Sequence, residues 1–205
     1  MATGMLDKAG SVALRLGVIA VIVLMCVAVA SSAATMEPVI YPAPPGAPMA
    51  SDFAVTVDGQ ALPIYDSQVA AFGYFSFGGK AVVTVAPSRD FQRVDIRPRN
   101  KGIAYSIKGK AITFVLNRPC NLSIELDGDI KRPLFLFANP YEQIKPQPTD
   151  PNVLYFEGGK IHEAGEINVR SGQTVYIAGG AIVRGRIRAE GAKNISILGR
   201  GILDG

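Results

Sequence analysis

The feature that most constrains this chain is a repeat at its C-terminal end. Writing residues 167–185 above residues 187–205, an offset of 20, sets Ile167 over Ile187, Val175 over Ile195, Ile177 over Ile197, Gly179 over Gly199, Ile182 over Ile202, Val183 over Leu203 and Gly185 over Gly205. One period earlier, Gly159 and Gly165 fall into the same two glycine columns. A fixed period near twenty, built of short apolar runs broken by glycine, is the sequence pattern of a solenoid, in which each coil buries its apolar face only by stacking on its neighbours. The charges keep this register: Glu166 falls on Arg186, Arg170 on Glu190 and Arg184 on Asp204. In stacked parallel strands such pairs stand on adjacent rungs about 4.8 Å apart. The competing arrangement is a set of hairpins extending the region before it. The repeat predicts parallel coils with Ile167, Val175, Ile177, Ile182, Ile187, Ile195, Ile197 and Ile202 facing inward.

Upstream the grammar is different. Phe53, Val55 and Val57 alternate with small or polar residues and stop at Asp58-Gly59, a strand ended by a turn dipeptide. The same pattern recurs over residues 71–77, 81–85, 93–96, 103–107, 112–116, 122–126 and 134–137. Eight short strands separated by Gly-Gly, Asn-Lys-Gly, Lys-Gly-Lys and Asp-Gly-Asp turns predict an antiparallel β-sandwich. Composition agrees: 22 glycines and 14 prolines spread along 205 residues leave little room for long helices, and 48% hydrophobic residues suffice for a core. The fold class expected is all-β, an N-terminal antiparallel β-sandwich followed by the first coils of a right-handed parallel β-helix.

The remaining segments read as connectors and a targeting signal. Lys8 and Arg15 precede an uncharged stretch, 16–36, whose apolar heart runs from Gly17 to Ala30 and is followed by small residues. That is the build of a secretory signal peptide, with cleavage after Ala30 or Ala34; the alternative is an uncleaved membrane anchor at 16–36. Cys26 lacks the small residue expected before a lipidated cysteine. The expected organisation is a signal peptide or anchor at 1–34, a proline-rich linker at 35–51, a β-sandwich at 52–140, a second linker at 141–152 and the start of the β-helix at 153–205. Cleavage after residue 34 leaves one cysteine, Cys120, which reads as a small buried hydrophobe rather than a nucleophile.

The run Ile195-Ser196-Ile197-Leu198-Gly199-Arg200-Gly201-Ile202-Leu203-Asp204-Gly205 resembles an early-coil segment of the pectin-lyase superfold, above all of the polygalacturonases of glycoside hydrolase family 28. Residues 153–159 and 172–181 resemble the opening coils of bacterial members that carry a β-sandwich in front, and the dextranase-type family 49 is similar in that arrangement. The resemblance covers about residues 40–205. It implies a secreted polysaccharide hydrolase acting by inversion, in which one carboxylic acid protonates the leaving oxygen and carboxylates across the site activate a water.

The residues that would carry that chemistry are not in this sequence. Within the coil segment, 153–205, the family's Asn-x-Asp, Asp-Asp, Gly-His-Gly and Arg-x-Lys motifs are all missing, so no catalytic, cofactor or metal residue is assigned. The single histidine, His162, adjoins Glu163, but neighbours on a strand point to opposite faces. Asp204 sits in the most family-like motif, where Asp204-Gly205 reads as a coil-corner turn. Arg184, Arg186, Arg188 and Arg200 would suit an acidic polymer, but a solvated charged face is the preferred reading, because three of the charges on these coils have opposite-sign partners at the offset of 20. Asn121 and Asn194 fit the glycosylation acceptor pattern. A net charge of +4 with dispersed basic residues argues against nucleic acid, and no phosphate-binding or zinc spacing is present, so no cofactor is expected.

Two functions are therefore expected. The first is the front portion of a polygalacturonase-like hydrolase whose catalytic coils lie beyond Gly205, with pectin, polygalacturonate or a related glycan as partner. The second is a non-catalytic carbohydrate-binding or surface protein, against which the sequence sets an absence of tryptophan and an aromatic content of 8%. Membrane contact is expected only if the N-terminal segment stays uncleaved.

Overall fold

The computed structural model describes residues 36–205; the expected signal segment, 1–34, lies outside the described residues. The chain is built almost wholly of strands: β1 (Val39–Ile40), β2 (Phe53–Val57), β3 (Gln60–Leu62), β4 (Tyr65–Asp66), β5 (Ala71–Ser76), β6 (Ala81–Pro87), β7 (Val94–Arg97), β8 (Tyr105–Lys108), β9 (Ala111–Leu116), β10 (Cys120–Leu126), β11 (Leu134–Asn139), β12 (Val153–Phe156), β13 (Ile161–Asn168), β14 (Thr174–Ile177), β15 (Ile182–Arg188), β16 (Ser196–Gly199) and β17 (Ile202–Asp204).

The first eleven form two sheets around one core. One sheet has the order β3-β2-β6-β9-β8; the other runs β1-β5-β11-β10-β7, with β4 also on β5. Strand β2 shows how the sequence dictates this: Phe53, Val55 and Val57 are buried while Ala54 and Thr56 face away. Asp58 and Gly59 both take positive φ, which makes the two-residue turn that pairs Val57 with Gln60. The inner faces meet through Phe75, Phe77, Val83, Val85, Ile112, Phe114, Leu122, Ile124, Leu134 and Leu136.

One pairing departs from an antiparallel sandwich. Strands β5 and β11 run parallel, Phe72 opposite Phe135 and Tyr74 opposite Phe137. Local turns dictate antiparallel direction only between consecutive strands, and 57 residues separate Ser76 from Leu134. The proline-rich stretch, expected as an extended spacer, is instead docked: Pro38 and Pro44 are buried, and Val39 and Ile40 pair with Ser76 and Phe75.

From β12 onward the chain alternates between two other sheets. Strands β12-β14-β16 form one and β13-β15-β17 the other, all parallel. Each passage thus adds one rung to both. In the second sheet the offset of 20 holds from Gly165 onward, Ile167 pairing with Ile187, Glu166 with Arg186, Ile182 with Ile202 and Arg184 with Asp204; ahead of a bulge between Glu163 and Gly165 it is 21, with Ile161 opposite Ile182 and Glu163 opposite Arg184.

In the first sheet the expected register is corrected. Val175 lies opposite Ile197, not Ile195, and Ile177 opposite Gly199, not Ile197, so the expected match of Gly179 with Gly199 also fails. The connection from β15 to β16 spans residues 189–195, two longer than that from β13 to β14 at 169–173, while residues 200–201 before β17 are two fewer than 178–181 before β15. Insertion and deletion cancel, so the period survives although one sheet slides. A slide of two residues keeps the same faces inward.

Facing is corrected too. Ile167, Val169, Val175, Ile177, Ala181 and Val183 fill the interior between the two sheets, with Ile187 and Ile195 packed alongside. Ile182 and Ile202, expected inside, point the other way, into a cluster with Tyr65 and Tyr74 of the two-sheet body. Because β15 packs on both faces, Ile182 and Val183 are adjacent and both buried, and periodicity alone does not say which faces in. Ile197 stands above Val175 on the inward face but is 55% exposed, since among the described residues no rung covers its other side.

Candidate functional site

The wound segment carries most of the charged residues that sequence reasoning singled out. On the outward face of β13-β15-β17, Arg184 stands between two carboxylates in register, its Nη1 2.7 Å from Glu163 Oε1 and its Nε 3.6 Å from Asp204 Oδ2. One rung position on, Arg186 donates to Glu166 at 2.6 Å, and Arg188 reaches both Glu166 and Glu190. The expected Arg170–Glu190 pair does not form; Glu190 takes Arg188, and the backbone N–H of Arg170 donates to Gln173 Oε1. Hydrogen bonding from Arg186 holds the Glu166 carboxyl below the usual range.

This ladder has the form of a structural device. Asp204 is the last residue of β17 rather than a corner turn, and its carboxylate faces a guanidinium. His162 occupies the register of the inward Val183, its ring edge-on to Phe156 at 5.4 Å and its Nε2 2.8 Å from the Glu157 carbonyl oxygen. Glu163 faces outward to Arg184, so the two neighbours are separated by the strand. Among the described residues no group of three His, Cys, Asp or Glu side chains is placed to hold a metal. The Cys120 thiol is half-buried and burial pushes its pKa up, the environment of an inert thiol.

A second site lies where sequence reasoning did not look, on the outer face of β5-β11-β10-β7. The pleat turns Phe135, Phe137 and Asn139 of β11 outward, beside Phe72 and Tyr74 of β5 and Asn121 and Ser123 of β10. The aromatic rings form one continuous string. Tyr41 stacks on Tyr74 at 5.5 Å and Tyr74 on Tyr65 at 5.8 Å; Tyr65 stacks on Phe72 at 5.3 Å, and Phe72 meets Phe137 edge-on at 6.3 Å, with Phe135 tilted beside it. The string runs from half-buried Tyr41 through buried Tyr74 and Tyr65 and ends in solvent, Phe135 being 37% and Phe137 36% exposed.

Two open clefts flank the exposed end and share Asn121 and Phe137. The larger, about 520 Å³, is bounded by Arg97, Arg99, Ser123 and Phe135; the smaller, about 290 Å³, by Phe72, Asn139 and Arg200. The charges around the larger cleft are spent on each other. Arg97 bridges Asp95 at 3.1 Å and Glu125 at 2.9 Å, and Arg99 Nε donates to Asp95 at 3.0 Å, which holds the Asp95 carboxyl low. Arg200 donates through Nη2 to the Pro140 carbonyl at 3.1 Å, and its buried Nε has no hydrogen-bond partner among the described residues. The available signal was the Phe-x-Phe alternation at 135 and 137 with Asn121 on a neighbouring strand; a total aromatic content of 8% hid its concentration on one face.

Comparison with known proteins places the fold. No family model matches the chain. No curated protein matches it either. Among solved structures, Dex49A from Penicillium minioluteum superposes with a TM-score of 0.61 at 16% identity, over 80% of this chain and 47% of Dex49A. The likeness is one of fold alone, and the chain spans about half the length of that structure.

Proposed function

We propose that this chain is the front part of a secreted polysaccharide-degrading glycoside hydrolase, with a β-sandwich at 52–140 and the opening coils of a right-handed parallel β-helix at 153–205. The carrying observation is the alternation of the chain between two parallel three-stranded sheets seated against a two-sheet body, in a fold like that of Dex49A. The resemblance to family 28 suggests polygalacturonate as substrate and that to family 49 suggests dextran. Residues 1–34 would direct export, or residues 16–36 would anchor the protein.

Inverting hydrolysis needs an acid and a base set about 6.5 to 9.5 Å apart around a water. Glu163 and Asp204 do not offer that, because a guanidinium lies between them and pairs with both. We assign the catalytic carboxylates to coils that follow these in the whole protein. The test is hydrolysis of dextran and polygalacturonate by the product of the extended reading frame, with the anomer of the first product read by NMR; inversion is expected, and retention or no hydrolysis of either polymer counts against the proposal.

The second reading, a non-catalytic carbohydrate-binding protein, is favoured by the exposed aromatic face of β11. It predicts binding of glycans without turnover by the extended product.

A further inference from the structure

We propose that the outer face of β5-β11-β10-β7 is a binding platform for an uncharged polysaccharide, separate from any hydrolytic centre. It takes the polysaccharide class of its ligand from the function proposed above, and its location and charge selectivity from the face itself.

Three observations on that face fit a sugar polymer. A pyranose ring has one face made of C–H groups, which packs on a flat aromatic ring, while its rim of hydroxyls needs donors and acceptors. Phe135 and Phe137 are exposed, 6.4 Å apart, on a rigid strand paired on both sides. Asn121, Asn139 and Ser123 surround them: the Asn121 amide can donate and accept, while Asn139, whose Nδ2 donates to the Phe137 carbonyl, and Ser123, whose hydroxyl donates to Glu125, keep their oxygens as acceptors. An aromatic pair presented by a sheet costs little ordering on binding, because strand pairing already fixes its backbone.

The charges decide between polymers. A polyuronate carries a carboxylate on every ring and would be met by unpaired guanidinium groups. Here Arg97 and Arg99 are already engaged by Asp95 and Glu125, whose carboxylates offset the two guanidinium charges at the larger cleft. Arg200 alone stands at the smaller cleft, tied to a backbone carbonyl. A larger cleft whose four ions neutralise one another, with a single guanidinium at the smaller one, complements an uncharged chain better than a chain charged on every ring.

Affinity electrophoresis of the full chain through gels containing dextran, soluble starch, arabinoxylan or polygalacturonate tests this. Retardation by at least one neutral polymer and none by polygalacturonate at 150 mM salt is expected. Phe137→Leu, which keeps the apolar contact but removes the flat ring, should raise Kd about tenfold, equivalent to about 1.4 kcal/mol, with an unchanged Tm. Phe135→Ala combined with Phe137→Ala should abolish retardation. Retardation by polygalacturonate alone, by none of the four, or equally in the phenylalanine variants would overturn the platform, as would dimers that these substitutions dissociate. The hydrolase reading is scored separately: turnover by the extended product that survives both substitutions leaves that reading standing even if the platform fails, and neutral-glycan binding without turnover does the reverse.

Discussion

The ring of Tyr41 lies directly across Gly179. A Cβ at that glycine would run into three ring carbons, so no side chain fits between the docked N-terminal stretch and the turn that joins β14 to β15. The next residue completes the joint, the Gly180 N–H donating to the Tyr74 hydroxyl at 3.1 Å while Tyr74 stacks on Tyr41. Gly179, one of the glycines that mark the repeat in sequence, is therefore also a place where the body approaches the winding.

Replacing Gly179 by Ala should cost about 1–3 kcal/mol by overpacking. The same substitution in a Tyr41→Ala background should cost much less, since the obstructing ring is gone. Urea unfolding of the four variants in a double-mutant cycle measures this, and additive effects would mean that the two residues do not meet.

Ile182→Ala and Val183→Ala separate the two faces of β15. Each should cost about 1.5–4 kcal/mol, since both side chains are buried. Only Ile182→Ala should raise the exposure of Tyr65 and Tyr74, read by tyrosine fluorescence quenching, because Ile182 packs on those rings while Val183 packs within the winding.

Stability should depend on pH at both ends. Asp66, Asp127 and Glu166 are held below the ordinary carboxylate range, Asp66 chiefly by Arg132, Asp127 by the N–H groups of Gln92 and Arg93, and Glu166 by Arg186. Folded-state values below unfolded ones give stability that is present above about pH 4 and is lost as pH falls through the depressed values. Tyr176, pushed up to about 12 by burial and then by Glu142, has the opposite sign: its contribution is complete below about pH 10 and disappears as pH rises through 12. Melting curves from pH 2 to 12 should fall at both ends, with Asp127→Asn flattening the acid limb and Tyr176→Phe the alkaline one.

How much of this was legible in the sequence follows from which physical signals are local. The eight body strands were, because Phe53-x-Val55-x-Val57 and its successors alternate and end at turn residues. The short strands β1, β3 and β4 were not, since two or three residues carry no period. The Glu166–Arg186 and Arg184–Asp204 rungs were readable at an offset of 20 because β13-β15-β17 keeps it. The Val175–Ile197 rung was not, because connection lengths before and after β16 change by compensating amounts. The aromatic platform escaped notice because its members come from β5, β10 and β11, brought together by a parallel pairing that no turn announces.

The central proposal is that this fold serves polysaccharide hydrolysis in the whole protein, with the acid and base outside residues 36–205. Reducing-end release from dextran and polygalacturonate, measured side by side for the 205-residue chain and for the product of the extended reading frame, tests it most directly. The account predicts no turnover by the 205-residue chain, with loss of acid–base groups worth about two to four orders of magnitude each, and turnover of at least one polymer by the longer product. Turnover by the 205-residue chain that Glu163→Gln or Asp204→Asn abolishes would contradict it, because the Arg184 ladder would then be the active site.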